Sequence, residues 1–160
     1  MLDQNRALWD QLQIRRGLQA LGRARELGGA DGFYSLQAAI IACHAQARTA
    51  GDTDWSRIAG FYAELAAAVR SPIIELNRAV AVSMAEGPEA GLSIVDRLVR
   101  EPALKGYHLL PSVRGDLLHK LGRYEEARAA FEAAAVLADN RREYDLLRRR
   151  AAEAADRDDR

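Results

Sequence analysis

The sequence predicts an all-α fold of about eight helices, paired into hairpins that stack as a short right-handed superhelix. Three observations carry this reading. Alanine, leucine, arginine and glutamate dominate the 160 residues while β-branched residues are sparse, a balance that favours helix over strand. Glycine, proline and capping residues punctuate the chain at short intervals. Between these marks, small and large apolar residues recur three and four positions apart, the spacing of one helix face.

Taken in order, the punctuation delimits segments 3–27, 33–49, 54–69, 72–85, 88–99, 107–121, 124–138 and 140–156. Gly28, Gly29 and Gly32 can take the positive φ that ends the first helix. Asp52, Thr53 or Asp54 supplies the N-cap of the third. Ser71-Pro72 and Gly87-Pro88 put a proline at the first position of the fourth and fifth helices, where its missing N–H costs nothing. Pro111 either begins the sixth helix or kinks one that starts near Tyr107.

The sixth and seventh segments show the pairing most clearly. Gly115, Leu118 and Leu121 precede the Gly122-Arg123 turn, and Tyr124, Ala127, Phe131, Ala134 and Leu137 follow it on one face. Small residues let two helices approach and the aromatic ring locks them, which is the spacing of a tetratricopeptide-like unit. Ala79 and Gly91 precede Gly115 and Ala127 by the same 36 residues, with Val95 and Leu98 in the places of Phe131 and Ala134. This reads as a second copy, near the usual unit length of roughly 34 residues. It departs from the pattern in that no tryptophan opens either unit and no proline closes the helix after Phe131.

Upstream, 33–49 and 54–69 form an earlier pair with Ile58, Tyr62 and Leu65 on one face, across a turn longer than the motif has. The expected organisation is therefore one domain over 1–160. It comprises an N-terminal capping helix (1–32), a degenerate pair (33–70), two tetratricopeptide-like units (71–138) and a polar C-terminal cap and tail (139–160).

A chain of this size can bury roughly 70% of its unfolded surface without a staple. The single cysteine, Cys43, excludes an internal disulfide and reads as a reduced core thiol. Lysine plus arginine balance aspartate plus glutamate at 23 each, so no global field draws in nucleic acid or an anionic membrane. No apolar run approaches the roughly 20 residues of a membrane span, and the start is acidic-polar rather than signal-like. A soluble cytoplasmic bacterial protein is expected.

Several stretches carry a family resemblance: "DQNRALWD", "SLQAAIIACHAQA", "TDW", "LNRAVAVSMAEGPEAGL" and "GYHLLPSVRGDLLHKLGRYEEA". They resemble the tetratricopeptide-like C-terminal extension of one group of bacterial extracytoplasmic-function RNA polymerase sigma factors (sigma-70 family, sigma-24 type). The likeness runs from about Leu2 to about Arg150, and "LNRAVA" followed by a Gly-Pro turn is its most specific part. The regions that bind core polymerase and read promoter elements in such proteins have no counterpart in this sequence. The resemblance implies a non-catalytic, protein-interaction and regulatory segment in transcription initiation. Its expected partner is the protein's own sigma regions or RNA polymerase core.

If Ala79 and Gly115 face the packing, the concave groove is lined by Asn77, Val80, Ser83 and Met84 on one unit and by Ser112, Asp116, His119 and Lys120 on the next. Asn77 can hold a peptide backbone or a carboxylate through both donor and acceptor; alternatively it satisfies a neighbouring helix end. Arg78 and Arg114 stand 36 residues apart, with Asp54 or Asp116 as possible partners. Their planar forks suit either anion recognition or ordinary ion pairs between helices.

His44, His108 and His119 are too scattered for a metal site, and no His–carboxylate–nucleophile set can be named, so no cofactor and no enzymatic activity are expected. Trp9 and Trp55 read as core anchors. Arg148-Arg149-Arg150 reads as a solvated mixed-charge cap beside Glu143, Asp145, Glu153 and Asp156 rather than as a nucleic-acid patch. A second class of function stays open, a stand-alone tetratricopeptide adaptor that binds a peptide of an unrelated protein.

Overall fold

The computed structural model describes residues 9–29 and 32–158. Among them the chain forms eight α-helices and no strand: α1 (Gln11–Glu26), α2 (Phe33–Gln46), α3 (Trp55–Ala68), α4 (Pro72–Glu86), α5 (Pro88–Leu98), α6 (Leu109–Lys120), α7 (Tyr124–Val136) and α8 (Arg141–Asp158). A short 3₁₀ turn, Pro102–Leu104, precedes α6.

The helix ends follow the local chemistry. Asp10 caps α1, its Oδ1 accepting from the N–H groups of Leu12 and Gln13 at 2.9 and 3.0 Å. Among the described residues the first helix starts at Gln11, and residues 3–8 of the expected segment lie outside them. Asp54 caps α3 by accepting from the Arg57 N–H at 2.9 Å. Asp52 instead accepts from Thr49 inside the preceding turn. Pro111 neither begins nor kinks α6: it is the third residue of a helix that starts at Leu109. Its missing N–H falls in the first turn, where none has an intrahelical acceptor. Gly87 has φ 106° and joins α4 to α5 with no residue to spare, a backbone state closed to other side chains at low cost.

Each helix packs on its neighbours in sequence, and α4 also touches α6, so the helices pair and the pairs stack. The 36-residue register reaches further than the sequence reading allowed. Cys43, Ala79, Gly115 and Ala151 stand 36 residues apart on α2, α4, α6 and α8, and all four are buried. Ala59, Val95 and Phe131 stand in the same relation on α3, α5 and α7 and are also buried. The α2–α3 pair therefore keeps the register despite its long turn, with Trp55 in the place of Gly91 and Ala127. That bulky ring lies edge-on to His44 at 5.2 Å, and this pair meets less extensively than the two that follow.

The last helix is polar on its outer faces and apolar on the face that meets α7. Leu147, Ala151 and Ala154 are buried, and α8 packs on α7 as the opening helix of a further unit. Its many charges occupy the other faces. By contrast α1 has no buried residue and covers α2 with a half-buried stripe of Ile14, Leu18 and Leu21.

One apolar core runs through the stack from Leu36 and Ile40 to Leu147 and Ala154. Phe131, Ile58, Leu65, Leu117, Leu118 and Val95 are its largest fully buried side chains.

Candidate functional site

The opening helices of the units, α4 and α6, carry the residues expected to line the concave face. Their surroundings differ from one residue to the next. Asn77 is exposed on α4, and its side chain makes no hydrogen bond among the described residues. Val80, Met84 and Ser112 are half-buried.

Ser83 is not a groove residue. It is 8% exposed, its Oγ donates to the Val80 carbonyl at 2.7 Å, and it packs on Gly91 of α5. A Cβ at position 91 would come 2.5 Å from the Ser83 Cβ and 2.8 Å from the Ala79 carbonyl oxygen, so the small residue at 83 serves helix approach.

Neither arginine takes the partner expected from sequence. Arg78 makes a two-pronged contact with Glu75 one turn earlier on α4, Nε and Nη2 donating at 2.8 and 2.7 Å. These bonds hold the Glu75 carboxyl below the usual carboxylate range, against the opposing effect of partial burial. Arg114 donates through Nε to Asp96 Oδ1 on α5 at 2.8 Å, a link between successive units. Asp116 pairs with Arg150 of α8. The Arg150 guanidinium also lies 5.1 Å from the centre of the Phe131 ring. The arginine run of α8 thus contributes a joint between helices through Arg150, while Arg148 and Arg149 are exposed.

His119 stacks edge-on to Tyr124 at 5.3 Å across the α6–α7 turn. Lys120 is exposed and makes no ion pair among the described residues. Of the seven residues singled out, Asn77 and Lys120 are those left with an exposed polar group and no partner among the described residues.

Sequence reasoning missed a hollow between α5, α6 and α7, although it named Arg114 at its border. A cavity of about 590 Å³ opens between α5 and α7 over the start of α6, lined by Val99, Leu104, Leu110, Ala133 and Leu137, with Arg100 at its edge. Arg114 borders it as well. The legible signal was Val99 and Leu137, apolar residues just past the ends of α5 and α7 that remain exposed.

Among the described residues no group of three His, Cys, Asp or Glu converges as a metal set. No described helix is long and apolar enough to cross a membrane. Cys43 is buried, and burial pushes its thiol up from the ordinary value against the opposing pull of Arg57 and Arg25.

No family model matches the chain. An uncharacterized protein of Rhizobium meliloti (strain 1021) is 43% identical to it over 146 residues, which is 91% of this chain and 34% of that relative. The chain therefore spans about a third of the length of the curated relative it matches. No solved structure matches it.

Proposed function

We propose that this chain is a non-catalytic protein-interaction and regulatory domain, the tetratricopeptide-like extension of an extracytoplasmic-function sigma factor. It acts in the cytoplasm by contacting the protein's own sigma regions or RNA polymerase. The observation that carries the reading is the continuous 36-residue register, whose buried positions are spent on packing while Asn77 on α4 stays exposed and unbonded. Stacked helical hairpins of this kind present extended surfaces and bind other chains through such positions. The quoted stretches that resemble the sigma-factor extension supply the partner. A relative three-fold longer than the matched segment agrees with a domain that belongs to a larger protein.

The test is calorimetry with the matching sigma regions supplied as a separate polypeptide. Saturable association is expected, weakened in Asn77→Ala with the melting temperature of the domain unchanged. A folded domain that shows no association with sigma regions or with core polymerase rejects the reading. Binding of an unrelated peptide in their place assigns the stand-alone adaptor.

A further inference from the structure

A different feature lies away from the repeat units, where α1 and α3 approach each other across α2. Arg25, in the last turn of α1, places its guanidinium carbon 5.9 Å from the centre of the Phe61 ring on α3. Arg57, one turn before Phe61, places its own 5.5 Å from the same ring. Two cations from two helices thus converge on one aromatic side chain.

Neither has a carboxylate within ion-pair distance among the described residues. The nearest acid in sequence, Asp54, uses Oδ1 to cap the Arg57 backbone N–H. Both arginine side chains are exposed and the ring is half-buried, so water screens the two like charges only in part and a shared counter-ion would stabilise their convergence.

The space between them has the right size and lining. Arg25 and Arg57 border a cavity of about 120 Å³ together with Leu18, Leu21, Cys43 and Gln46. Water takes up roughly 30 Å³ per molecule, so this space holds a group of a few heavy atoms. Cys43, Gln46 and Arg57 also border a wider hollow of about 430 Å³ with Arg48, Asp52 and Asp54, of which Asp52 accepts hydrogen bonds from Thr49 and Asp54 caps α3.

We propose that Arg25 and Arg57, with the Gln46 amide, bind the phosphoryl group of a phosphate or phosphate monoester, the remainder of the ligand lying toward Arg48. A planar carboxylate is satisfied by one guanidinium fork, whereas a tetrahedral oxyanion accepts donors from several directions. Two guanidinium charges also match the near-dianionic state of a phosphoryl group at neutral pH. The site is independent of the sigma-factor reading. It has a structural consequence: α1, which buries no residue of its own, becomes tied to α3 through the bound anion.

The experiment is calorimetric titration of the full chain at low ionic strength with inorganic phosphate, O-phosphoserine and succinate, alongside melting curves. Saturable phosphate binding is expected, together with a melting temperature that rises with ligand concentration. Arg25→Gln and Arg57→Gln should each weaken binding about tenfold or more, Arg25→Lys less, and Arg149→Gln on α8 not at all. Tighter binding of O-phosphoserine than of inorganic phosphate assigns a phosphorylated ligand, and the reverse order assigns free phosphate. The proposal is overturned by absence of saturable phosphate binding, by succinate binding as tightly, or by an equal loss in Arg149→Gln.

Discussion

The backbone of Gly115 lies against the ring of Phe131: a Cβ at position 115 would stand 2.7 Å from Cε1 and 2.8 Å from Cδ1. The ring belongs to the next helix, is 1% exposed, and has the Arg150 guanidinium near its face. In the preceding unit the same closeness is reached from the other side, through Gly91 against Ser83 and Ala79. The glycine sits on the opening helix in one unit and on the closing helix in the other. The position equivalent to Phe131 in the preceding unit, 36 residues earlier, holds the smaller Val95.

Gly115→Ala should therefore destabilise the domain by about 1–3 kcal/mol through overpacking, and Phe131→Ala by about 3–5 kcal/mol through the cavity it leaves. The double variant Gly115→Ala/Phe131→Leu should cost less than the sum of its single changes, because the shortened side chain vacates the space the methyl needs. Denaturant melts of the wild type, Gly115→Ala, Phe131→Leu and the double variant measure the coupling, and strict additivity would separate the two residues.

Gly91→Ala meets a harder wall. The added methyl faces the Ala79 carbonyl oxygen, which is backbone, as well as the Ser83 side chain. A loss at or above the upper part of the range for Gly115→Ala is expected. Ser83→Gly in the same chain should restore only part of it, since the carbonyl contact remains. Full recovery in thermal melts would show that α4 yields.

Acid should weaken the domain through Glu75. Its carboxyl is held low in the folded state chiefly by the hydrogen bonds from Arg78. A depressed folded pKa contributes stability that is present above the unfolded value, about 4.3 for glutamate, and is lost as pH falls through the folded pKa. The melting temperature of the wild type should therefore drop more between pH 5 and about 3 than that of Glu75→Gln. Parallel curves would show that the pair contributes no acid sensitivity.

Cys43 should resist alkylation in the folded protein. Its thiol is buried and pushed up by that burial, so the reactive thiolate is scarce at neutral pH. A raised folded pKa contributes stability that is complete below the unfolded thiol value and fades as pH rises through the folded one. Iodoacetamide labelling followed by mass spectrometry should be slow in buffer and fast in denaturant. Equal rates would place the thiol at the surface.

The positions that pack were largely readable because their signals are local. Pro72 and Pro88 mark the starts of α4 and α5, Asp54 caps α3, and Ala79, Gly91, Gly115, Ala127 and Phe131 repeat at a spacing that any reader of the sequence can count. The same spacing passes through Cys43 and Ala151. It was hidden there because α8 is dense in charge and α2 is followed by a long turn, features that say nothing about the one stripe that faces the core.

The sequence by itself determined the helices, their order and the small-residue stripe that joins them, since capping, proline geometry and face periodicity act within a turn or two of chain. Only the tertiary structure decided what the polar side chains do. Arg114 reaches Asp96 and Asp116 reaches Arg150 across helices brought together by packing, and the convergence of Arg25 and Arg57 on Phe61 exists only once α1 and α3 are in place. A charge takes its partner from whatever lies within a few ångströms, and for residues on different helices that neighbourhood is a product of the whole fold.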